Sequence, residues 1–266
     1  MSAETTALPI LLRALNLGEI AASFEELAAR AEQQGWTYVA YLRELVEGEH
    51  EVRRQRRVER NTKRSGLPSE KTLGSLDVAK LPVKVRRQVP SLCEGGFVER
   101  GENLLAFGLP GRGKTHLCCA IGHELTQRGY RVLFVPAFRL VQRLLAAKRD
   151  LELEAELRRL DLFDVVLIDD LGYVQQNREE MEVLFTFLSE RYERRSVMIT
   201  SNLVFSQWDR IFKDPMTTAA AIDRLVHHAT ILELTGRSQR MDEAGAGMKT
   251  ATSAPPEQPS EEGDEA

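Results

Sequence analysis

The first part of the chain carries apolar side chains every three or four positions, the spacing that places them on one face of a helix. Three segments show this pattern: LPILLRALNL (8–17), SFEELAARAEQ (23–33) and TYVAYLRELVEGEH (37–50). Gly18 and Gly35 fall between the segments, and Thr37 stands where an N-cap residue would. The sequence therefore predicts a small all-α N-terminal domain over residues 1–66.

The periodicity is lost between Ser65 and about Gly101. The stretch SGLPSEKTLGSLDVAKLPVKV contains two prolines and several glycine or serine breaks. These residues interrupt regular structure because they favour turns and bends. We therefore expect residues 67–101 to form an irregular connector.

From Asn103 onward, short apolar runs alternate with amphipathic stretches, which is typical of a parallel sheet covered by helices. The predicted strands are LLAF (104–107), RVLFV (131–135), VVLID (165–169), VMIT (197–200) and TILEL (230–234). Helices are predicted at 115–128, at 137–148 with a charged continuation to 160, at 178–194 and at about 216–228. Residues 102–241 are thus predicted to be an α/β domain with five parallel strands.

The segment GLPGRGKT, from Gly108 to Thr115, matches GxxxxGK[ST] between a predicted strand and a predicted helix. Its glycines let backbone N–H groups approach phosphate oxygens, and the following helix adds the positive end of its dipole. Lys114 can reach the β and γ phosphates of ATP, and the Thr115 hydroxyl can bind Mg²⁺. The predicted nucleotide contacts are Gly108, Leu109, Pro110, Gly111, Arg112, Gly113, Lys114, Thr115 and His116.

Two further strand ends carry polar residues that could complete an ATPase site. DVVLIDD ends in Asp169, predicted to hold Mg²⁺ with Thr115, and in Asp170, predicted to orient the attacking water. The alternative is that these acids only cap a strand end. Asn202, after VMIT, could sense the γ phosphate, or it could simply form an Asn turn.

Arg224, on the helix before the last strand, is the best candidate for an arginine that acts in the site of a neighbouring subunit. Arg210 is a weaker candidate, and a salt bridge from Arg224 to Asp223 or Glu233 is the alternative. A shared site of this kind would require a homo-oligomer.

The run from Arg53 to Arg64 is strongly basic. Seven of its twelve residues could neutralise DNA phosphates without reading base sequence, namely Arg53, Arg54, Arg56, Arg57, Arg60, Lys63 and Arg64. Lys84, Arg86 and Arg87 could add contacts. The alternative is a solvated helix balanced by nearby glutamates such as Glu51 and Glu59.

The net charge of −4 is dominated by the end of the chain, because the last seventeen residues hold five acids and no base. Residues 242–266 are predicted to be a disordered acidic tail. No run approaches the roughly 18 apolar residues of a membrane span, and Glu4 stands where a secretory signal would be positive, so we expect a cytoplasmic protein. Cys93, Cys118 and Cys119 lack metal-binding spacing and are expected to be ordinary thiols.

Over residues 8–241 the chain resembles the IstB-like transposition helper ATPases of bacterial insertion sequences, relatives of the helicase loader DnaC and the initiator DnaA. The resemblance rests on the helical front segments, EKTLGSLD, GLPGRGKTHL, LIDDLGY, TSNLVFSQWDRIFKDP and AAAIDRLVHHATILELTGRS. It implies an AAA+ P-loop ATPase core without a large C-terminal lid, preceded by the helical domain.

The resemblance also implies that the protein assembles on duplex DNA when ATP is bound and engages the transposase of the same element. It implies no DNA cutting or joining, and we find no DDE-like trio of carboxylates outside the ATP site. A DnaC-like helicase loader is the nearest alternative function. A small-molecule kinase and a purely structural nucleotide-binding module remain more distant alternatives.

Overall fold

The computed structural model describes residues 3–173, 178–208, 211 and 215–235. Arg210 and the predicted tail at 242–266 lie outside this range. Within it, none of the helices is both long and apolar enough to cross a membrane.

Three helices form the front of the chain, as the periodicity predicts. They are α1 (Ala3–Ala14), α2 (Gly18–Gln34) and α3 (Tyr38–Ser65). Thr37 is the N-cap of α3, since its Oγ1 accepts a hydrogen bond from the Ala40 amide at 3.2 Å. Ile20, Phe24 and Leu45 are the buried centre of a small apolar core between these helices.

Helix α3 extends beyond this small core and reaches the sheet domain. Its first half packs against α2, and its second half contacts the region around the second strand. There the Asn61 side chain donates hydrogen bonds to the carbonyls of Gly129 and Tyr130, at 3.0 and 3.3 Å. One helix therefore connects the two parts of the chain, and the boundary at residue 66 stays a prediction.

The expectation of an irregular connector is wrong for its second half. Residues 67–101 contain a 3-10 helix (Val78–Lys80), α4 (Val83–Glu94) and the short α5 (Gly96–Glu99). Helix α4 buries an apolar stripe at helical spacing, formed by Val85, Val89, Leu92 and Cys93.

Pro90 lies inside α4, and its missing N–H and its ring cost the helix about 3 kcal/mol. Burying each large apolar side chain of the stripe stabilises the fold by about 1.5–3 kcal/mol, so the summed stabilisation exceeds the cost of the proline. The tertiary contact, which local residue signals do not reveal, keeps this segment helical.

The sheet has five parallel strands, as predicted. They are β1 (Asn103–Phe107), β2 (Val132–Pro136), β3 (Val165–Asp169), β4 (Ser196–Ser201) and β5 (Ala229–Glu233). Their order is β2-β3-β4-β1-β5, and Leu105 of β1 pairs with Ile199 of β4 on one side and with Ile231 of β5 on the other. Because all strands run the same way, their carboxyl ends share one edge of the sheet.

Helices cover both faces of this sheet, and each face has its own apolar core. They are α6 (Lys114–Gln127), α7 (Ala137–Arg149), α8 (Leu153–Asp161), α9 (Arg178–Arg191) and α10 (Pro215–Val226), with 3-10 helices at Leu171–Tyr173 and Phe205–Gln207. The helix predicted to continue to residue 160 is in fact two helices. They are separated at Leu151, whose φ of 58° is left-handed and cannot continue a right-handed helix.

Candidate functional site

The loop 108–113 joins β1 to α6 at the carboxyl edge of the sheet. Its first glycine, Gly108, donates its N–H to the carbonyl of Ser201 at the end of β4, at 3.3 Å. A Cβ on Gly108 would lie 2.5 Å from the Leu234 carbonyl oxygen, so only glycine fits between β4 and β5. Gly111 and Gly113 have φ values of 79° and 80°, which turn the backbone in a way that other residues resist.

Lys114 begins α6 and is almost fully buried, with 5% of its surface exposed. Its Nζ donates to the carbonyl oxygen of Leu109 at 3.1 Å, so the ammonium group lies across the loop. Leu109 and Pro110 are exposed at the tip of the loop, whereas Arg112 and Thr115 are half-buried. A cation held above backbone N–H groups at a helix N-terminus is a suitable site for phosphate.

The two predicted Mg²⁺ ligands touch each other. The Thr115 hydroxyl donates to Asp169 Oδ1 at 2.7 Å, which joins α6 to the end of β3. A second hydroxyl, that of Thr200 on β4, donates to the same oxygen at 2.6 Å. Hydroxyl and carboxylate oxygens are the hard donors that Mg²⁺ prefers, so Thr115 and Asp169 fit this ion.

Thr200 was missed by the sequence reasoning. Its hydroxyl also accepts a hydrogen bond from the Asp170 amide at 2.9 Å, so it links the Asp169 carboxylate to the backbone of Asp170. The only signal in the sequence was a threonine in the buried strand VMIT. Asp170 itself is exposed and has a φ of 58°, a left-handed conformation that costs a non-glycine residue about 1–3 kcal/mol.

Asn202 follows β4 directly and lies beside the turn after β3. Its Oδ1 is buried and has no hydrogen-bond partner within the described part of the chain. A Cβ on Gly172 would lie 2.0 Å from this oxygen, which shows how closely the amide packs on the LIDDLGY turn. Buried acceptors are normally satisfied, so this one is suited to a water or ligand held at the strand ends.

Arg224 lies at the opposite edge of the sheet. The next residue, Leu225, accepts a hydrogen bond from the Asn103 side chain, at the amino end of β1, at 3.1 Å. The phosphate loop begins at the carboxyl end of this five-residue strand, about 16 Å further along. Arg224 therefore does not belong to the phosphate site of its own chain.

The guanidinium of Arg224 lies over the ring of Phe185, 4.8 Å from its centroid, and donates to the Ala220 carbonyl. Among the described residues, neither Asp223 nor Glu233 forms an ion pair with it. Within the described residues, the predicted alternative of a salt bridge to Asp223 or Glu233 is therefore not found.

His116 contacts the connector. Its Nε2 lies 3.0 Å from Ser75 Oγ and 3.2 Å from the Thr72 carbonyl oxygen. The ring thus ties the first turn of α6 to the segment EKTLGSLD. The sequence predicted His116 as a nucleotide contact, and the structure adds this second set of partners.

Two of the predicted DNA-binding arginines are engaged within the protein. Arg53 donates to the carboxylate of Glu49 at 2.7 Å and to the Asn16 carbonyl at 2.5 Å. Arg54 forms two hydrogen bonds of 2.8 Å with Glu51. Glu49 is buried and also accepts the amides of Glu19 and Ile20, so it caps α2.

The other five basic side chains are exposed, and within the described residues none has an ion pair: Arg56, Arg57, Arg60, Lys63 and Arg64. At about 100° per residue they lie within an arc of roughly 120° around α3. Asn61 and Ser65, which point toward the sheet domain, lie about 100° and about 140° from the centre of this arc. These five residues define the basic face of α3, which is exposed within the described part of the chain.

Comparison with known proteins adds to this geometry. A family model described as "IstB-like ATP binding protein" matches residues 10–246. An insertion-sequence ATP-binding protein of Sinorhizobium fredii is 43% identical over 238 residues, covering 89% of this chain and 80% of the relative. A protein of Pseudomonas aeruginosa, named for ATP binding and for insertion sequence IS21, is 37% identical, covering 93% and 94%.

Two solved structures share the fold. DnaA of Aquifex aeolicus bound to AMPPCP has a TM-score of 0.55 at 18% identity, covering 70% of this chain and 57% of that one. DnaI has a TM-score of 0.53 at 24% identity, covering 64% and 96%. At these identities the likeness concerns the fold alone.

Proposed function

Because the chain belongs to the IstB-like ATP-binding family and has the AAA+ fold, we propose that it is an ATPase that binds duplex DNA and assists the transposase of its insertion sequence. The observation that best supports ATPase activity is the contact between Thr115, Asp169 and Thr200 beside the buried Lys114. These side chains come from three separate segments and meet only at the phosphate loop. We expect the protein to act in the cytoplasm.

Each residue at this edge has a proposed role in hydrolysis. The loop amides and Lys114 hold the β and γ phosphates, and Thr115 and Asp169 hold Mg²⁺, which would neutralise charge on the leaving phosphate oxygens. The exposed carboxylate of Asp170 orients the attacking water. Asn202 Oδ1 has no hydrogen-bond partner among the described residues, and it accepts a hydrogen bond from the same water, which lies beside the γ phosphate.

Arg224 completes the site of a neighbouring protomer. Its position at the far edge of the sheet supports this role, because a head-to-tail contact brings the amino edge of one sheet to the carboxyl edge of the next. In that arrangement a guanidinium can stabilise the charge that develops on the γ phosphate. The active form is then a homo-oligomer.

A mixing experiment tests the shared site. Arg224→Ala and Asp170→Asn proteins should each bind ATP but lose turnover, because each lacks one half of every site. In an equimolar mixture about a quarter of randomly formed interfaces unite an intact Asp170 with an intact Arg224, so about a quarter of the wild-type rate should return. Full turnover by Arg224→Ala alone, or no recovery on mixing, would contradict the shared site.

The DNA and transposase roles have separate support. The basic face of α3 offers five cations that can neutralise phosphates without base recognition. The relatives are named for insertion sequences, which favours a transposase as the partner. Capture of the transposase from the same element by the ATP-bound protein on DNA is the expected result, and capture of a replicative helicase instead would select the helicase-loader alternative.

A further inference from the structure

A second cluster of ligand-type side chains lies at the amino edge of the sheet, away from the phosphate loop. Glu193 is in the turn between α9 and β4, and His227 and His228 are in the turn between α10 and β5. Glu193 Oε1 lies 3.9 Å from His227 Nδ1 and 3.8 Å from His228 Nε2. The three ligand atoms are all within 4.8 Å of one another.

The backbone beneath this cluster is fixed by contacts with β1. The Asn103 amide donates to the His228 carbonyl at 2.8 Å, and the buried Asn103 side chain links the end of α10 to β4. Glu193 has a φ of 56°, and a Cβ on Gly101 would lie 3.2 Å from its carbonyl carbon. The two turns are therefore held close together by the main chain, whatever their side chains bind.

Two imidazoles and one carboxylate are a ligand set that suits zinc and similar ions, whereas Mg²⁺ and Ca²⁺ prefer oxygen alone. Around a tetrahedral zinc the ligand atoms are about 3.3 Å apart, so the observed distances must shrink by about 0.5–1.5 Å. All three side chains are about half exposed, and rotation about their side-chain bonds can supply this movement.

Two neighbouring groups, Tyr192 and Glu102, face the cluster. The Tyr192 hydroxyl lies 3.1 Å from His227 Nδ1. His227 must exchange this hydrogen bond for a bond to the ion, or bind the ion through Nε2. Glu102 also faces His228, but both of its oxygens are bound by Arg100, at 2.6 and 2.8 Å.

We propose that Glu193, His227 and His228 form a binding site for a divalent transition-metal ion of the zinc class, with water in the remaining coordination positions. The site is separate from the ATP site and does not depend on hydrolysis. Its ligand His227 lies three residues after Arg224, in the turn that follows the same helix. A bound ion would cross-link the α9–β4 and α10–β5 turns beside that arginine.

Cobalt titration of the untagged full-length protein tests the site. Co²⁺ is added without nucleotide and with excess Mg²⁺ present, so that the oxygen ligands at the phosphate loop do not compete. We expect one saturable Co²⁺ per chain with a visible absorption band, displaced by Zn²⁺. Thiolate-to-metal charge transfer should be absent, because the three cysteines are buried.

Single substitutions then locate the ion. His227→Gln, His228→Gln and Glu193→Gln should each weaken Co²⁺ binding by at least about tenfold, since losing a ligand costs more than losing an outer partner. His50→Gln, which changes an exposed histidine on α3, is the matched control and should bind as the wild type does. Circular dichroism confirms folding of each variant. Absence of saturable binding, or equal binding by all four variants, would overturn the proposal.

Discussion

The basic face of α3 makes a quantitative prediction about DNA binding. Arg56, Arg60 and Lys63 are exposed, and within the described residues they have no ion pair. Replacing all three by alanine should reduce the slope of log K against log salt concentration by up to about 2.7, since each phosphate contact contributes about 0.9. Between 50 and 200 mM salt, wild-type affinity should therefore fall about 40-fold more than that of the variant.

Fluorescence anisotropy with a labelled duplex, measured at several salt concentrations, provides the slope. ATP or a non-hydrolysable analogue is present throughout, so that assembly is the same for both proteins. The sequence of the duplex should have little effect, because phosphate contacts carry no base information. A variant with the wild-type slope would refute the assignment of DNA contacts to this face.

Arg53→Ala is the matched control, because it removes one positive charge from the same helix. Arg53 is bound to the buried Glu49, so its loss leaves a carboxylate without its guanidinium partner. We expect this variant to lose about 1–3 kcal/mol of folding stability while its salt slope stays close to that of the wild type. A large fall in slope with unchanged stability would show that Arg53 contacts DNA after all.

Three further predictions follow from individual contacts. Gly172→Ala would place a methyl group 2.0 Å from Asn202 Oδ1, so ATP binding should persist while single-turnover hydrolysis falls about 100-fold. Thr200→Val removes a hydroxyl bound to Asp169 and should lower the free energy of unfolding by about 1–3 kcal/mol in urea titrations, with a higher Mg²⁺ requirement for turnover. Burial tends to raise the pKa of Glu49, but hydrogen bonds from its guanidinium and amide partners outweigh this and lower it. Glu49 thus adds stability above its ordinary pKa that is lost as pH falls through the lowered value, so the melting-temperature difference between wild type and Glu49→Gln should shrink below about pH 4.

Much of the fold was predictable from local patterns. The five strands lie within about one residue of their predicted positions, because buried parallel strands are continuous apolar runs that short segments already display. The IstB-like resemblance is confirmed by the family match over residues 10–246. The phosphate loop was also visible, since all of its fixed positions lie within eight consecutive residues.

The segment 83–99 shows where local patterns failed. The prolines and the glycine or serine breaks of the stretch 65–85 predict an irregular connector, yet α4 is stable because its apolar stripe packs against α6 and the sheet. The break at Leu151 was missed for a related reason. The charged residues before position 160 show a helical period in both cases, whether they form one continuous helix or two successive helices.

The sequence by itself determined the phosphate loop, the strands, the front helices and the family, because each depends on residues that are close together in the chain. Only the tertiary structure brought Thr200 to Asp169 and placed Arg224 at the far edge of the sheet. It also separated Arg53 and Arg54, which are ion-paired, from the arginines of α3 that have no ion pair among the described residues. These relations depend on strand order and on helix packing. They arise from contacts between distant segments, which no window of neighbouring residues contains.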